Sequence, residues 1–169
     1  RFNPATQDFE GYNGSGWVSF TLKSISGGWG DQSAKELMLA SDGDGDWWDE
    51  FGGSVSMSGD YAIISSHLHD TLGNSAQGKA HIFYRIGNSW ARQATLTASD
   101  GAPNDQFGIS VSISGDYAIV GSHLHDTGGN NDQGKAYIYY RTGTTWSEQV
   151  ILISSNGATN DYFGESVSI

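Results

Sequence analysis

Three features of the sequence predict an all-β fold made of short antiparallel strands. The 169 residues include 24 Gly and only 2 Pro, together with 6 Trp, 8 Tyr and 7 Phe. Apolar side chains alternate with a period of two, as in Ala80, Ile82 and Tyr84, which is the spacing of a strand with two different faces. The chain also repeats itself at a fixed offset, and each copy has room for four strands and their turns.

The repeat covers Phe51–Gln93 and Phe107–Gln149. These stretches align without a gap at an offset of 56 residues, and 29 of their 43 positions are identical. A third copy begins with YFGESVSI at Tyr162 and runs to Ile169. In each full copy the alternation predicts four strands, near 53–57, 61–66, 79–85 and 90–97 and near 109–113, 117–122, 135–141 and 146–153.

Four antiparallel strands in about 40–60 residues is the size of one β-propeller blade. Ser58-Gly59-Asp60 and Ser114-Gly115-Asp116 are predicted hairpin turns, because Gly adopts a positive φ at little cost. The predicted fold is therefore two full propeller-type blades plus single strands. Open sheet edges invite pairing, so we expect other copies or further blades to complete the ring.

The repeat also resembles a known family. The ordered pattern Phe-Gly-x-Ser-Val, Gly-Asp, an apolar strand such as YAIVGS and then GKAYIYY resembles the FG-GAP repeats of bacterial surface proteins and, more distantly, integrin α-chain propellers. The resemblance covers about residues 36–169. It departs from integrin-type repeats because the short turns at Asp60 and Asp116 replace an Asp-rich calcium loop, and because SSH and GSH replace the Ala-Pro of the motif.

The N-terminal segment differs from the repeats. DFEGYNGSGWVSF resembles the segment that precedes the tip domain in trimeric tail-fibre and bacterial fibre adhesin proteins. Alternatively, YNGSGW is similar to RIGNSW and RTGTTW, and Trp17 then belongs to the last strand of a degenerate blade. The predicted organisation begins with a fibre base or connector at 1–23 and a linker with an outer strand and an acidic loop at 24–50. Blade 1 follows at 51–106, blade 2 at 107–162 and the first strand of a third blade at 163–169.

The stretch SDGDGDWWDEFG at Ser41–Gly52 corresponds to SDGAPNDQFG and SNGATNDYFG, so it is an inter-blade turn with a two-residue insertion. Closely spaced carboxylates suit a hard cation, and the predicted calcium ligands are Asp42, Asp44, Asp46, Asp49 and Glu50. Trp47 and Gly53 stand where an EF-hand needs Gly and Glu, which excludes that motif. Trp47 and Trp48 are predicted to bind a ligand, because aromatic faces beside carboxylates suit sugars. The alternatives are a solvated acidic loop and a Trp packed over the blade edge.

The sequence SHLHD occurs twice and suggests transition-metal ligands. Side chains two apart on a strand share a face, so each copy offers two imidazoles and a carboxylate for Zn²⁺ or Ni²⁺. The candidate ligands are His67, His69, Asp70, His123, His125 and Asp126. The alternative is that these histidines form hydrogen bonds in turns at the mouth of the ring.

Composition limits the function classes. The net charge of −11 opposes binding to nucleic acid, and no apolar run is long enough to insert in a membrane. No catalytic motif is present, so we expect no enzyme and no cofactor other than calcium. The expected function is adhesion or receptor binding by the tip of a fibre, which recognises a surface glycan or protein through propeller loops. The expected location is extracellular, at the cell surface or on a virion fibre. The alternative is a structural subunit of a filament. With two blades per chain, the expected assembly is a homotrimer.

Overall fold

The computed structural model describes residues 49–169 and three short N-terminal strands. The chain divides into two compact units, Arg1–Leu37 and Met38–Ile169. The first unit contains a three-stranded antiparallel sheet in chain order, with strands β1 (Phe2–Asn3), β2 (Asp8–Tyr12) and β3 (Trp17–Phe20). These strands lie in the segment that resembles a fibre base, and that resemblance stays a prediction.

The second unit contains two antiparallel sheets of four strands each. In blade 1 the strands are β4 (Phe51–Ser58), β5 (Tyr61–Ser66), β6 (Lys79–Ile86) and β7 (Ser89–Leu96). In blade 2 they are β8 (Val111–Ser114), β9 (Tyr117–Ser122), β10 (Lys135–Thr142) and β11 (Thr145–Leu152). Each strand pairs with its neighbours in sequence. The predicted all-β, propeller-type blades are confirmed, and the described sheets form a partial ring that is not closed.

The two edges of each blade differ because the strands alternate in direction. At one end of the strands, which we call the turn edge of the blade, two-residue turns join β4 to β5 and β8 to β9. Gly59 and Gly115 both have φ of 58° there. At the other edge, the loop edge, the connections are long: 67–78 within blade 1, 97–110 between blades and 123–134 within blade 2. The predicted Ser-Gly-Asp turns are confirmed.

The Phe-Gly motif sets the start of each blade. Gly108 has φ of +99°, and an added Cβ would lie 3.0 Å from the Lys79 carbonyl oxygen and from Ser65 Cβ. A side chain at this position is thus opposed by both backbone conformation and space. The chain turns here, so β8 begins at Val111, two residues later than the alternation predicted.

The main hydrophobic core lies between the two blades. Blade 1 contributes one sheet face, which includes Ile63 and Ile82, and blade 2 contributes side chains that include Phe107, Val111 and Tyr137. The opposite face of blade 1 carries a separate cluster of Ala62, Ile64 and Phe83. Ile63 and Ile64 therefore lie on opposite faces of the sheet, as the period of two requires.

Equivalent residues of the two repeats have the same neighbours but different burial. The Phe51 ring lies 5.8 Å from the His81 ring, and the Phe107 ring lies 5.3 Å from Tyr137, the residue 56 positions after His81. Phe107 is fully buried, whereas Phe51 is only half-buried. The 56-residue offset predicts equivalent buried positions for the two phenylalanines. Their ring neighbours are equivalent, but the predicted equal burial is wrong, because Phe107 lies in the core between two blades.

Candidate functional site

The loop edge is built from connections that hydrogen-bond to one another. The segment that joins the blades runs beside the β5–β6 loop: the Asn104 N–H donates to the Ser75 carbonyl and the Phe107 N–H donates to the Gln77 carbonyl, each at 2.8 Å. The same contacts recur one repeat later. The stretch before each Phe-Gly therefore fixes the position of the long loop within the preceding blade through backbone hydrogen bonds.

A cavity of about 290 Å³ lies between the inter-blade segment and the loop that joins β9 to β10. Its polar lining consists of Asn104, Asp105, His125, Asp126, Asn131 and Asp132, and its apolar lining consists of Ala102, Pro103 and Leu124. Ligand-binding sites are concave, and convergent polar groups in them fix the orientation of the ligand. Three carboxylates, two amides and an imidazole provide both acceptors and donors for a hydroxylated or cationic group.

The wall of the cavity continues into a polar cluster around His125. The His125 Nδ1–H donates to the Asp126 carbonyl oxygen at 2.7 Å, and Nε2 lies 3.5 Å from Asp105 Oδ2 and 3.3 Å from Lys135 Nζ. The Lys135 ammonium forms a 2.5 Å ion pair with Asp100 Oδ2. These contacts join the inter-blade segment to blade 2 and hold the imidazole in one orientation.

The acidic groups of this cluster have different pKa values. Burial alone would raise the pKa of Asp100, but hydrogen bonds from Lys135 and from the Tyr137 hydroxyl, at 2.8 Å, outweigh it and lower that pKa below its ordinary value. Burial raises the pKa of Asp105, although the Ala102 N–H donates to its carboxylate at 2.7 Å. Burial, followed by the hydrogen bond to Asp100, also raises the pKa of Tyr137, whose hydroxyl therefore remains a donor.

Blade 1 has a related cluster. His69 Nε2 lies 2.5 Å from Lys79 Nζ and 3.8 Å from Asp49 Oδ2, and His67 Nε2 lies 3.3 Å from Glu50 Oε2. The structure thus brings together two groups that the sequence suggested separately: the end of the acidic stretch and the first SHLHD. Asp49 and Glu50 contact histidines here.

His67 and His123 are equivalent residues with similar environments. Burial lowers the pKa of both imidazoles, although Glu50 near His67 and Glu165 near His123 favour the charged form. Among the described residues, neither buried Nδ1 atom has a hydrogen-bond partner. Burial therefore favours the uncharged form of both imidazoles.

The strand geometry behind the transition-metal prediction is wrong. Strand β5 ends at Ser66, so His67 and His69 lie in the turn that follows it and do not share a strand face. Asp70 and Asp126 each accept a backbone N–H six residues later in the chain at 2.9 Å, which shapes the loops. Within residues 49–169, no group of three or more His, Asp or Glu side chains is arranged to hold a metal ion.

Several predicted site residues lie outside the described residues. These are the calcium candidates Asp42, Asp44 and Asp46 and the ligand-binding candidates Trp47 and Trp48. Calcium binding and sugar binding at this stretch stay predictions.

The motifs did not predict Asp100, Asp105, Lys135 and Tyr137 as members of the site. The repeat does contain a signal for one of them, because an Asp stands two positions before Phe-Gly in all three copies, at Asp49, Asp105 and Asp161. A Lys likewise follows Gly in the GKA sequence of both full copies, at Lys79 and Lys135.

Repeated four-stranded antiparallel sheets that pack face to face, with long loops at one edge, define a propeller-type β-repeat protein. The family model described as FG-GAP repeat matches residues 32–83, 90–139 and 146–169, and the chain belongs to this family. Comparison with curated proteins found no match.

FG-GAP repeats occur in adhesion and receptor proteins and are typical of extracellular or surface proteins. In the part of the chain that the structure describes, no helix is long and apolar enough to cross a membrane.

Proposed function

We propose that this protein is a non-enzymatic adhesion or receptor-binding module that recognises a surface glycan or protein through the loop edge of its blades. The cavity between the loops is the observation that carries this proposal. Its volume suits one sugar ring or one side chain of a partner protein, and its lining offers donors and acceptors at several positions.

The composition of the cavity supports recognition by hydrogen bonding. Asn131 and Asp132 belong to the β9–β10 loop, while Asn104 belongs to the inter-blade segment, so a ligand would contact two separate loops. The carboxylates Asp126 and Asp132, together with the net charge of −11, favour neutral or cationic ligand groups.

We further propose that the module forms the tip of an extracellular fibre and assembles as a homotrimer. The resemblance of DFEGYNGSGWVSF to fibre-base segments supports the fibre. The trimeric form of the fibre proteins that this segment resembles supports three copies.

The test is binding of the intact protein to a glycan array and to cells treated with glycosidase or protease. We expect binding to a defined glycan or protein class, and we expect a combined Asn131→Ala and Asp132→Asn variant to bind at least about tenfold more weakly, the effect of losing about 1.4 kcal/mol. Asn88→Ala, which removes an exposed amide in a turn at the opposite edge, is the matched control. Wild-type affinity of the double variant, or no binding to any surface, would refute the proposal.

A further inference from the structure

The tip of the β5–β6 loop, at 71–74, is a tight two-residue turn. The Thr71 N–H donates to the Asn74 carbonyl oxygen at 3.0 Å, and the Asn74 N–H donates to the Thr71 carbonyl oxygen at 2.9 Å. The two central residues, Leu72 and Gly73, have φ of 54° and 89°. Positive φ at both central positions is the pattern of a type I′ turn, which favours Asn-Gly or Gly-Gly. Leu is therefore an unfavourable residue at the first central position.

The second repeat has the same turn with the residues that its geometry favours. Thr127 and Asn130 exchange the same two backbone hydrogen bonds, and Gly128 and Gly129 between them have φ of 61° and 89°. A Cβ added at Gly128 would meet no atom within 4 Å, so space does not oppose a side chain there. The disadvantage of Leu72 relative to Gly is thus conformational, and the equivalent turn of the chain avoids it.

The folded chain does not offset this disadvantage by packing. The Leu72 side chain is 87 % exposed, the highest value among the large apolar side chains that the structure describes. Other residues with positive φ recur at equivalent positions, as do Gln106 and Tyr162, and so belong to the repeated fold. Leu72 differs from these because its equivalent is a glycine. Backbone strain that the fold does not require is found mainly at functional sites.

The rest of the loop holds this tip in one conformation. The Thr71 hydroxyl donates to the Gly78 carbonyl oxygen at 3.2 Å. The Asn74 side chain donates to Gln77 Oε1 at 2.7 Å and to the Gly101 carbonyl oxygen at 3.3 Å. Gly101 belongs to the inter-blade segment, which also lines the cavity. The tip is therefore attached to the same segment as the cavity, and it has little conformational freedom to lose on binding.

The loop edge carries charge of one sign. Its three long connections contain five Asp and no Lys or Arg. Lys135, at the start of β10, pairs with one of these residues, Asp100. Asp70 and Asp126 are exposed, and the net charge of the chain is −11. The loop edge therefore attracts basic groups and repels anionic ones.

We propose that Leu72 is the apolar anchor of the loop edge and that it inserts into an apolar pocket with a basic rim on a partner protein. An aliphatic anchor in a pocket provides the centre of such an interface, and complementary charge around it steers association. A glycan is the less suitable partner of this tip, because sugar rings stack on flat aromatic faces, which Leu lacks. The anchor role rests on the proposed recognition function and specifies its partner as a protein.

Two reciprocal substitutions separate the stability of the turn from binding. Leu72→Gly gives the tip of blade 1 the turn of blade 2, and Gly128→Leu does the reverse. Because the backbone conformation favours Gly, we expect the urea midpoint of Leu72→Gly to equal or exceed that of the wild type, and that of Gly128→Leu to be lower. A lower midpoint for Leu72→Gly would overturn the proposal, since the side chain would then stabilise the fold itself. An unchanged midpoint for Gly128→Leu would also overturn it, since Leu would then fit this turn without strain.

Binding of the intact protein is measured on an array of purified extracellular protein domains and on an array of neutral and anionic glycans. We expect the wild type to bind domains with basic surfaces, more weakly at high salt, and Leu72→Gly to bind the same domains at least about tenfold more weakly. Leu72→Met keeps an apolar side chain of similar volume and should retain binding. Ile86→Thr is the matched control, because it also introduces the residue of the second repeat at an exposed apolar position, but at the turn edge.

The outcomes distinguish the anchor from the recognition function. Wild-type affinity of Leu72→Gly for the bound domains would overturn the anchor role, and so would equal weakening by Ile86→Thr, which would indicate non-specific apolar adhesion. Binding to glycans alone would overturn it as well, but would leave recognition through the cavity intact. Failure of the wild type to bind any protein or glycan would refute the recognition function and the anchor together.

Discussion

Replacing Phe107 with Ala should strongly destabilise the protein. The ring is fully buried between the blades and makes edge contacts with Tyr137 and Tyr139 at centroid distances of 5.3 and 6.2 Å. Truncation of a buried Phe costs about 3–5 kcal/mol, from lost burial and from the cavity left behind. Since 1 kcal/mol shifts Tm by about 2–4 °C in proteins of this size, we expect Tm to fall by roughly 10 °C.

The same change at Phe51 is the matched control. This residue has the equivalent position in blade 1 and equivalent ring neighbours, His81 and Phe83, but it is only half-buried. We therefore expect the free energy of unfolding to fall by about 1–2 kcal/mol, because the truncation removes less buried apolar surface than at Phe107. The difference between the two variants isolates the contribution of the packing between blades.

Urea denaturation followed by tryptophan fluorescence gives the free energy of unfolding of each variant, and calorimetry gives Tm. Equal losses for Phe107→Ala and Phe51→Ala would refute the argument that the inter-blade core determines the cost. A loss below about 1 kcal/mol for Phe107→Ala would contradict its burial.

Three further predictions follow from other contacts. Burial lowers the pKa of His67 and His123 below 6.5, so the unfolded chain binds protons more readily than the folded protein. The free energy of unfolding should therefore fall as the pH drops below about 6.5, and it should be constant at higher pH. The double variant His67→Gln, His123→Gln, compared with the wild type over pH 5–8, should lose this slope. Gly121→Ser introduces the residue that the first repeat has at Ser65, but the added Cβ would overlap the Gly164 carbonyl oxygen. We therefore expect faster amide hydrogen exchange after residue 164, and unchanged exchange would contradict this close approach. Trp146→Phe removes the donor to the Gln side chain of β7 and should lower the free energy of unfolding by about 1 kcal/mol in urea denaturation, whereas a neutral effect would show that this hydrogen bond adds nothing.

Local sequence patterns predicted much of the fold. The bounds of β5 and β9, Tyr61–Ser66 and Tyr117–Ser122, match the predicted strands at both ends, because alternation and the Ser-Gly-Asp turns act over a few residues. The start of β8 was missed by two residues, since the turn after Phe107 depends on the approach of Gly108 to another strand.

The candidate site was harder to predict than the strands. Asp100 contacts Lys135 and Tyr137, which lie 35 and 37 positions later in the sequence. No spacing rule connects residues so far apart, because only the pairing of strands and the packing of blades bring them together. The prediction that His67 and His69 share a strand face failed for a related reason: the pattern did not reveal that the strand ends at Ser66.

By itself, the sequence determined the repeat, the number of strands in each blade and the positions of their turns, because these depend on neighbours along the chain. Tertiary structure decided which copies of identical residues are buried. Val55 and Val111 occupy the same position in repeats that are identical at 29 of 43 residues, yet one is exposed and the other lies in the core. The physical reason is that burial depends on what packs against a strand, and for Val111 that surface is the face of blade 1.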